Sequence, residues 1–310
     1  MTMSTRYTRQ MSLFEEVAAR VVKVEAAQIA APVVVETAPA SMLPTVPEPS
    51  QGFIKPCYWV DLMMYLTPGD SRPAIMLVGP AGNGKTTAAE EACKANEYEY
   101  LVVDANEYLE PADLVGSMTY DPQQGEVWRD GPVAQAFRAG QAIIINEFDA
   151  LNPRAALCLQ SVMQDPGANG QGRYVTTPGA AEHDRVFPQG DCPLILTANT
   201  FGTGPNRQYV GRNTMDAASM DRITIVSTDY ENEAAILEAR GYSPFTAARL
   251  ETWAHETRQR IEENALRVIL SNRTLQRMAQ VIERYGRTFE VAIEKEFLGR
   301  LDTDTRELLA

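Results

Sequence analysis

Imidazole is almost missing from this chain: His183 and His255 are its only histidines, far apart in sequence. Its four cysteines (Cys57, Cys93, Cys158 and Cys192) never form a C-x-x-C pair. A zinc module, a disulfide framework and a Ser-His-Asp triad are therefore poor readings, and scattered thiols fit a reducing cytoplasm. No apolar run approaches the roughly 18–20 residues that a membrane-crossing helix needs. Glu15, Glu16, Arg20, Lys23 and Glu25 break each stretch that could serve as the apolar core of a secretory leader. Positive charge is also scarce. The 28 Lys and Arg face 41 Asp and Glu, a formal charge of -13, which repels phosphate backbones and anionic membranes at long range.

What is present suits a folded protein: 45% hydrophobic and 22% charged residues over 310 positions, enough chain for about two domains. Residues 1–31 read as an N-terminal arm, with Met11, Phe14, Val17, Val21 and Val24 at the spacing of an amphipathic helix. Residues 32–52 read as a linker, because Pro32, Pro39, Pro44, Pro47 and Pro49 deny the backbone both helix and central strand. The body then begins at residue 53. Up to residue 228, short apolar runs alternate with helical segments: 74–79, 100–103, 142–145, 193–198 and 222–226 are the expected strands. The first, third and fourth are continuous apolar runs, which suits central strands covered on both faces. The alternation predicts an α/β parallel sheet. From 229 to 310 the strand signals stop, and about four helices are expected near 231–240, 244–266, 272–286 and 288–309.

The strongest motif spans Gly79, Pro80, Ala81, Gly82, Asn83, Gly84, Lys85 and Thr86, followed by Thr87. It fits G-x-x-x-x-G-K-[ST] between an expected strand and an expected helix. Glycines let the backbone curl until several N–H groups point at one phosphate, and the helix N-terminus adds positive partial charge. Lys85 is then the partner of the β- and γ-phosphates of ATP, and the Thr86 hydroxyl a ligand of Mg²⁺. About 60 residues on, Ile143-Ile144-Ile145 runs into Asn146 and Glu147. Ligands of open α/β sheets sit beyond this end of a strand. Glu147 is the candidate general base that polarises the attacking water. Asn146 takes the metal-side position usually held by Asp and brings no charge, so weaker Mg²⁺ affinity or slower hydrolysis is expected. Asp149 is the nearest residue offered as compensation.

Three blocks, GPAGNGKTT, GPVAQAFRAGQAIIINEFDALNPRAALCLQSVMQD and LILTANTFGTGPNRQYVGRNTMDAASMDRI, together resemble the MoxR-like branch of AAA+ ATPases, closest to the cobaltochelatase small subunit and its phage-encoded relatives. The likeness covers residues 53–286. It implies a five-stranded parallel P-loop core at 53–228 with a helical lid at 229–310, assembled as a ring, usually of six. By motif, Asn199 resembles the sensor-1 residue and Arg273 the sensor-2 residue. Arg222 resembles the arginine finger that reaches a neighbouring subunit, with Arg212 competing for that role. Residues 113–132 resemble the helix-2 insertion, with a hairpin turn at Asp121-Pro122 and Gly125, and residues 165–191 the hairpin before sensor 1. Tyr58 and Trp59 fall in a helix before the P-loop, where core packing is preferred over adenine contact. The likeness also implies a partner carrying a von Willebrand A-type domain. The function expected is an ATP hydrolase that remodels a partner protein. A nucleotide-gated scaffold with slow turnover is the alternative that Asn146 motivates. A DNA-acting motor is a third reading, opposed by the net charge and by the lack of a helix-turn-helix or zinc module.

Overall fold

The structure is a computed structural model that describes residues 50, 52–67, 74–165, 172–177 and 185–309. The expected arm at 1–31 and the proline-rich stretch at 32–49 lie outside the described residues.

Helix α1 (Trp59–Leu66) buries Leu62 and Leu66 and leads toward strand β1 (Ala74–Val78). Helix α2 (Lys85–Ala95) follows the glycine-rich loop, and strand β2 (Tyr100–Asp104) follows it. Helix α3 (Pro111–Val115) opens on a capping box between Glu110 and Asp113. Strands β3 (Gly116–Asp121) and β4 (Gly125–Asp130) pair antiparallel, making the hairpin expected at this turn. After helix α4 (Pro132–Ala139) comes strand β5 (Ala142–Asn146), then a single 3-10 turn (Phe148–Ala150) and helix α5 (Pro153–Cys158). Between residues 165 and 191, the described residues show β6 (Val175–Thr176) paired with β7 (Arg185–Val186). Strand β8 (Leu194–Ala198), helix α6 (Ala217–Met220) and strand β9 (Ile223–Ser227) complete this part.

Five strands form one parallel sheet in the order β2-β5-β8-β1-β9. The three continuous apolar runs hold the three inner places. Their side chains alternate between two cores. Met76, Ile143, Ile145 and Leu196 pack on one face with Phe137 and Phe148, whereas Ile75, Leu77, Ile144 and Ile195 pack on the other with Ala88 and Ala92 of α2. Burial on both faces explains why these strands carry no polar alternation.

The C-terminal helices are α7 (Glu233–Ala239), α8 (Pro244–Glu263), α9 (Asn272–Glu283), α10 (Phe289–Glu296) and α11 (Thr303–Leu309). They enclose a separate core around Leu250, Met278 and Phe297. The single helix expected over 288–309 is two. Phe297 leaves helical geometry to bury its ring edge-on against Trp253, at 5.7 Å. Asp302 then caps α11 by accepting from Thr305 N at 2.9 Å, and Arg306 folds the new helix back onto Glu294.

One ion pair ties this helical part together and reaches the P-loop. Arg258 of α8 forks onto Glu233 of α7 with bonds of 2.6 and 2.7 Å, donates to Leu270 O and stacks 3.7 Å over the Tyr230 ring. The Tyr230 hydroxyl in turn donates to Ala81 O at 2.7 Å. Removing one member strands the other charge in a mostly dry place. Glu233→Gln is therefore expected to lower unfolding stability by about 3 kcal/mol, read by urea titration of tryptophan fluorescence. The double variant Glu233→Leu with Arg258→Met should lose less than either single one, since an apolar pair strands no charge. An unchanged midpoint for Glu233→Gln would show that the pair does not hold the lid.

Candidate functional site

Sequence-predicted residues from four separate segments converge beyond the C-terminal ends of β1, β5 and β8. They line a cavity of about 510 Å³ bounded by residues 81–88, Asn146, Glu147, Asn199 and, from the lid, Asn272 and Arg273. That volume lies within the range of sites that engulf small ligands, about 300–1,000 Å³.

The glycine-rich loop is shaped by its neighbours as much as by its own freedom. A Cβ at Gly79 would stand 2.1 Å from Thr228 O, so the loop leaves β1 against the end of β9 only because that atom is absent. Gly82 has φ +74°, and a Cβ there would meet Ser271 Cβ at 2.8 Å, so the start of α9 abuts the loop. Lys85 is buried at the start of α2. Its ammonium donates toward Gly79 O and Pro80 O (both 2.8 Å), Asn199 Oδ1 (3.1 Å) and Asn83 Oδ1 (3.2 Å). Burial pushes its pKa down to about 8, an effect partly offset by Asp149 and Glu147. Asn83 also donates to Thr228 Oγ1. Gly84 has φ +98° at the helix start, and Thr87 is exposed on the cavity wall.

Thr86 Oγ1 lies 2.6 Å from Asn146 Oδ1. Glu147 ends β5 in the left-handed region, φ 55° and ψ 41°, which costs a residue with a Cβ about 1–3 kcal/mol. Its carboxylate is half exposed and pairs with Arg212 Nη2 at 3.0 Å. A pair this open to solvent is worth no more than about 1 kcal/mol, so Glu147 is easily released from it.

Asp149, offered as compensation for Asn146, is engaged by other donors. Its side chain is buried, 1% exposed. Its Oδ2 accepts from Asn199 N, Thr200 N and Thr200 Oγ1 at 2.9–3.1 Å. Its Oδ1 faces Arg212 Nη1 at 3.5 Å. Asp149 thus anchors the segment that carries Asn199. Arg212 spans Glu147 and Asp149 of its own chain, whereas Arg222 lies apart from the site. Arg222 immediately precedes β9, five residues from the strand end that faces the cavity, about 16 Å at 3.3 Å per residue. Its Nη1 donates to Ala218 O. Arg273 is exposed into the cavity from the first turn of α9, with no hydrogen bond or ion pair among the described residues. Tyr58 lines the cavity and is also buried in the core beside Leu62, and Trp59 packs on Phe53 at 5.3 Å.

Two residues that sequence reasoning passed over brace the loop. Tyr209 accepts from Ala81 N at 2.8 Å, and Tyr230 donates to Ala81 O. Thr197 was also missed: its hydroxyl donates to Asn146 Oδ1 at 2.6 Å and accepts from Glu147 N. Nothing in a lone tyrosine 128 residues downstream signals such a brace.

Residues 74–223 match the model of the AAA domain, dynein-related subfamily. The chain is 26% identical over 251 residues to the aerobic cobaltochelatase subunit CobS of a Sinorhizobium species, covering 76% of this chain and 73% of that protein. It is 25% identical over 217 residues to the gas vesicle ATPase GvpN of Haloferax mediterranei (61% and 58% covered) and 26% identical over 214 residues to GvpN2 of Halobacterium salinarum (61% and 57%). It therefore spans less than two thirds of the length of the gas vesicle relatives. The P-loop, the parallel sheet in the order β2-β5-β8-β1-β9 and these relatives mark residues 74–223 as an AAA domain of the dynein-related, MoxR-like subfamily.

Proposed function

We propose that this chain binds ATP with Mg²⁺ and hydrolyses it as one subunit of a self-assembled ring, whose movements remodel a partner protein. The observation that carries the reading is the buried Lys85 ammonium, held among loop carbonyls and Asn199 while Glu147 stands across the same cavity. A triphosphate entering there replaces neutral acceptors with anionic ones. Arg273 adds a second cation from the lid. Asn199 holds the attacking water or the terminal phosphate by a neutral hydrogen bond. Glu147, leaving Arg212, orients that water and takes its proton.

The donor set suits magnesium. Thr86 Oγ1 and Asn146 Oδ1 are hard oxygens side by side, and this ion prefers oxygen ligands and keeps several waters. Bound there, Mg²⁺ neutralises charge on the phosphate oxygens. The scaffold reading, with ATP bound and slowly turned over, rests on the missing charge of Asn146.

Arg222 cannot reach the cavity of its own chain across the length of β9, so we assign it to the neighbouring subunit's nucleotide. Arg212 remains with its own Glu147. The ring is proposed as a hexamer, its partner as a protein with a von Willebrand A-type domain, and its setting as the cytoplasm, without membrane or nucleic acid as partner. Among the described residues no helix is long and apolar enough to cross a membrane.

Mixing tests the ring assignment. Arg222→Ala and Lys85→Ala proteins should each be nearly silent in steady-state ATP hydrolysis. Mixed in equal amounts, they should regain a measurable part of the wild-type rate, because an intact P-loop then meets an intact arginine from a neighbour. Mixtures as silent as the separate variants would remove Arg222 from that role. No Mg²⁺-dependent ATP binding by the wild type would remove the whole reading.

A further inference from the structure

Asn146 leaves the expected metal side of the cavity without the acidic residue normally found at the end of this strand, yet a carboxylate stands beside it. Strands β2 and β5 run parallel with Asp104 directly opposite Asn146. Asn146 Nδ2 donates to Asp104 Oδ1 at 2.8 Å, while Asn146 Oδ1 accepts from Thr86 Oγ1 and Thr197 Oγ1, both at 2.6 Å. This pattern fixes which way the amide points. A carboxylate only accepts, so the NH₂ group must face Asp104 and the oxygen must face Thr86. Asp104 is exposed and has no cationic partner among the described residues. Glu90, one turn beyond Thr86 on α2, adds a second acid to this side. Burial raises the pKa of its carboxyl, the Lys94 charge opposes the rise, and the charges of Glu91 and Asp104 add to it.

Resting on the nucleotide reading above, we infer that Asp104 supplies the negative charge of the Mg²⁺ site, acting as a positioning residue through the Asn146 amide. The charge has moved one strand outward. The Asp104 carboxylate polarises the amide, makes Asn146 Oδ1 a stronger acceptor for a metal-bound water or for the metal itself, and lowers the potential around Thr86. An aspartate at 146 would instead set two carboxylates within 2.8 Å of each other in the free protein. The amide at 146 and the acid at 104 are thus complementary.

The test titrates Mg²⁺ against binding of a fluorescent, non-hydrolysable ATP analogue, which needs no turnover. Asp104→Asn keeps an acceptor for Asn146 Nδ2 and removes only the charge. It should raise the Mg²⁺ concentration for half-maximal binding about tenfold. The exchanged protein, Asp104→Asn with Asn146→Asp, should return to within about threefold of wild type, because the pair again holds one acid and one amide. Circular dichroism and thermal melting confirm that each variant is folded. If Asp104→Asn titrates like wild type, or the exchanged protein titrates like Asp104→Asn, the charge does not reside at Asp104 and the inference is overturned. Analogue binding that fails in the wild type itself would instead defeat the nucleotide reading, so the two failures are distinguishable.

Discussion

Replacing Glu147 by glutamine is expected to cut steady-state ATP turnover about 10²- to 10⁴-fold, with the affinity for a non-hydrolysable analogue kept within about threefold. Glutamine matches glutamate in shape and still donates and accepts hydrogen bonds, but it cannot take a proton from water. The side chain is half exposed and, among the described residues, its one ion pair is with Arg212 at 3.0 Å. Losing that contact costs no more than about 1 kcal/mol. Arg212 keeps Asp149, and the loop carrying Asn199 stays anchored through Asp149 Oδ2. Binding and chemistry should therefore separate cleanly. Phosphate release and analogue titration on the same preparation measure both. Turnover within about fivefold of wild type would mean that another group activates the water and that Glu147 has been misassigned.

Those residues were legible from sequence because local chain carries them. The P-loop is contiguous, and its function needs only that eight residues lie between a strand and a helix. Strands β1, β5 and β8 announced their inner positions through unbroken apolar runs, since both faces of the sheet are covered. The failures are of another kind. Asp149 is two residues from Glu147 in sequence, but the chain reverses at Glu147, where φ is 55° and a 3-10 turn follows, and the Asp149 carboxylate is buried against Asn199 N and Thr200 N. No spacing rule for a strand end anticipates that reversal. Asp104 looks like an ordinary strand terminus until the register of β2 against β5 sets it opposite Asn146. Tyr209 and Tyr230 reach Ala81 from 128 and 149 residues away. The break at Phe297 was hidden because burying an aromatic ring against Trp253 is a tertiary demand that outweighed helical periodicity. Contacts made along the chain were readable, and contacts made across it were not.

Lys85 yields the other large effect, and its pH dependence is more diagnostic than the loss itself. Truncation to alanine should weaken ATP binding roughly 30- to 5,000-fold, the equivalent of about 2–5 kcal/mol for one member of a buried charged hydrogen-bonded pair. In the free protein burial holds the Lys85 pKa at about 8, and the charges of a bound triphosphate must raise it. The phosphate's own last ionisation, near pH 6 for a phosphate ester, is already complete there. ATP affinity should thus be full below pH 8 and fall as pH rises above it, with a limiting slope of about tenfold per pH unit. Folding responds with the opposite sign. The unfolded lysine, with a pKa of about 10.4, binds more protons than the folded one between pH 8 and 10.4, so this group's contribution to stability of the nucleotide-free protein rises with pH across that window. Lys85→Met should abolish both slopes, and Lys85→Arg, charged throughout, should flatten the binding profile while keeping a cation. Calorimetric titration of the analogue from pH 7 to 9.5, with melting curves of wild type and Lys85→Met over the same range, measures the pair of trends. An affinity that stays level across pH 8 would mean that Lys85 remains protonated in the empty loop, and that its four oxygen neighbours outweigh its burial.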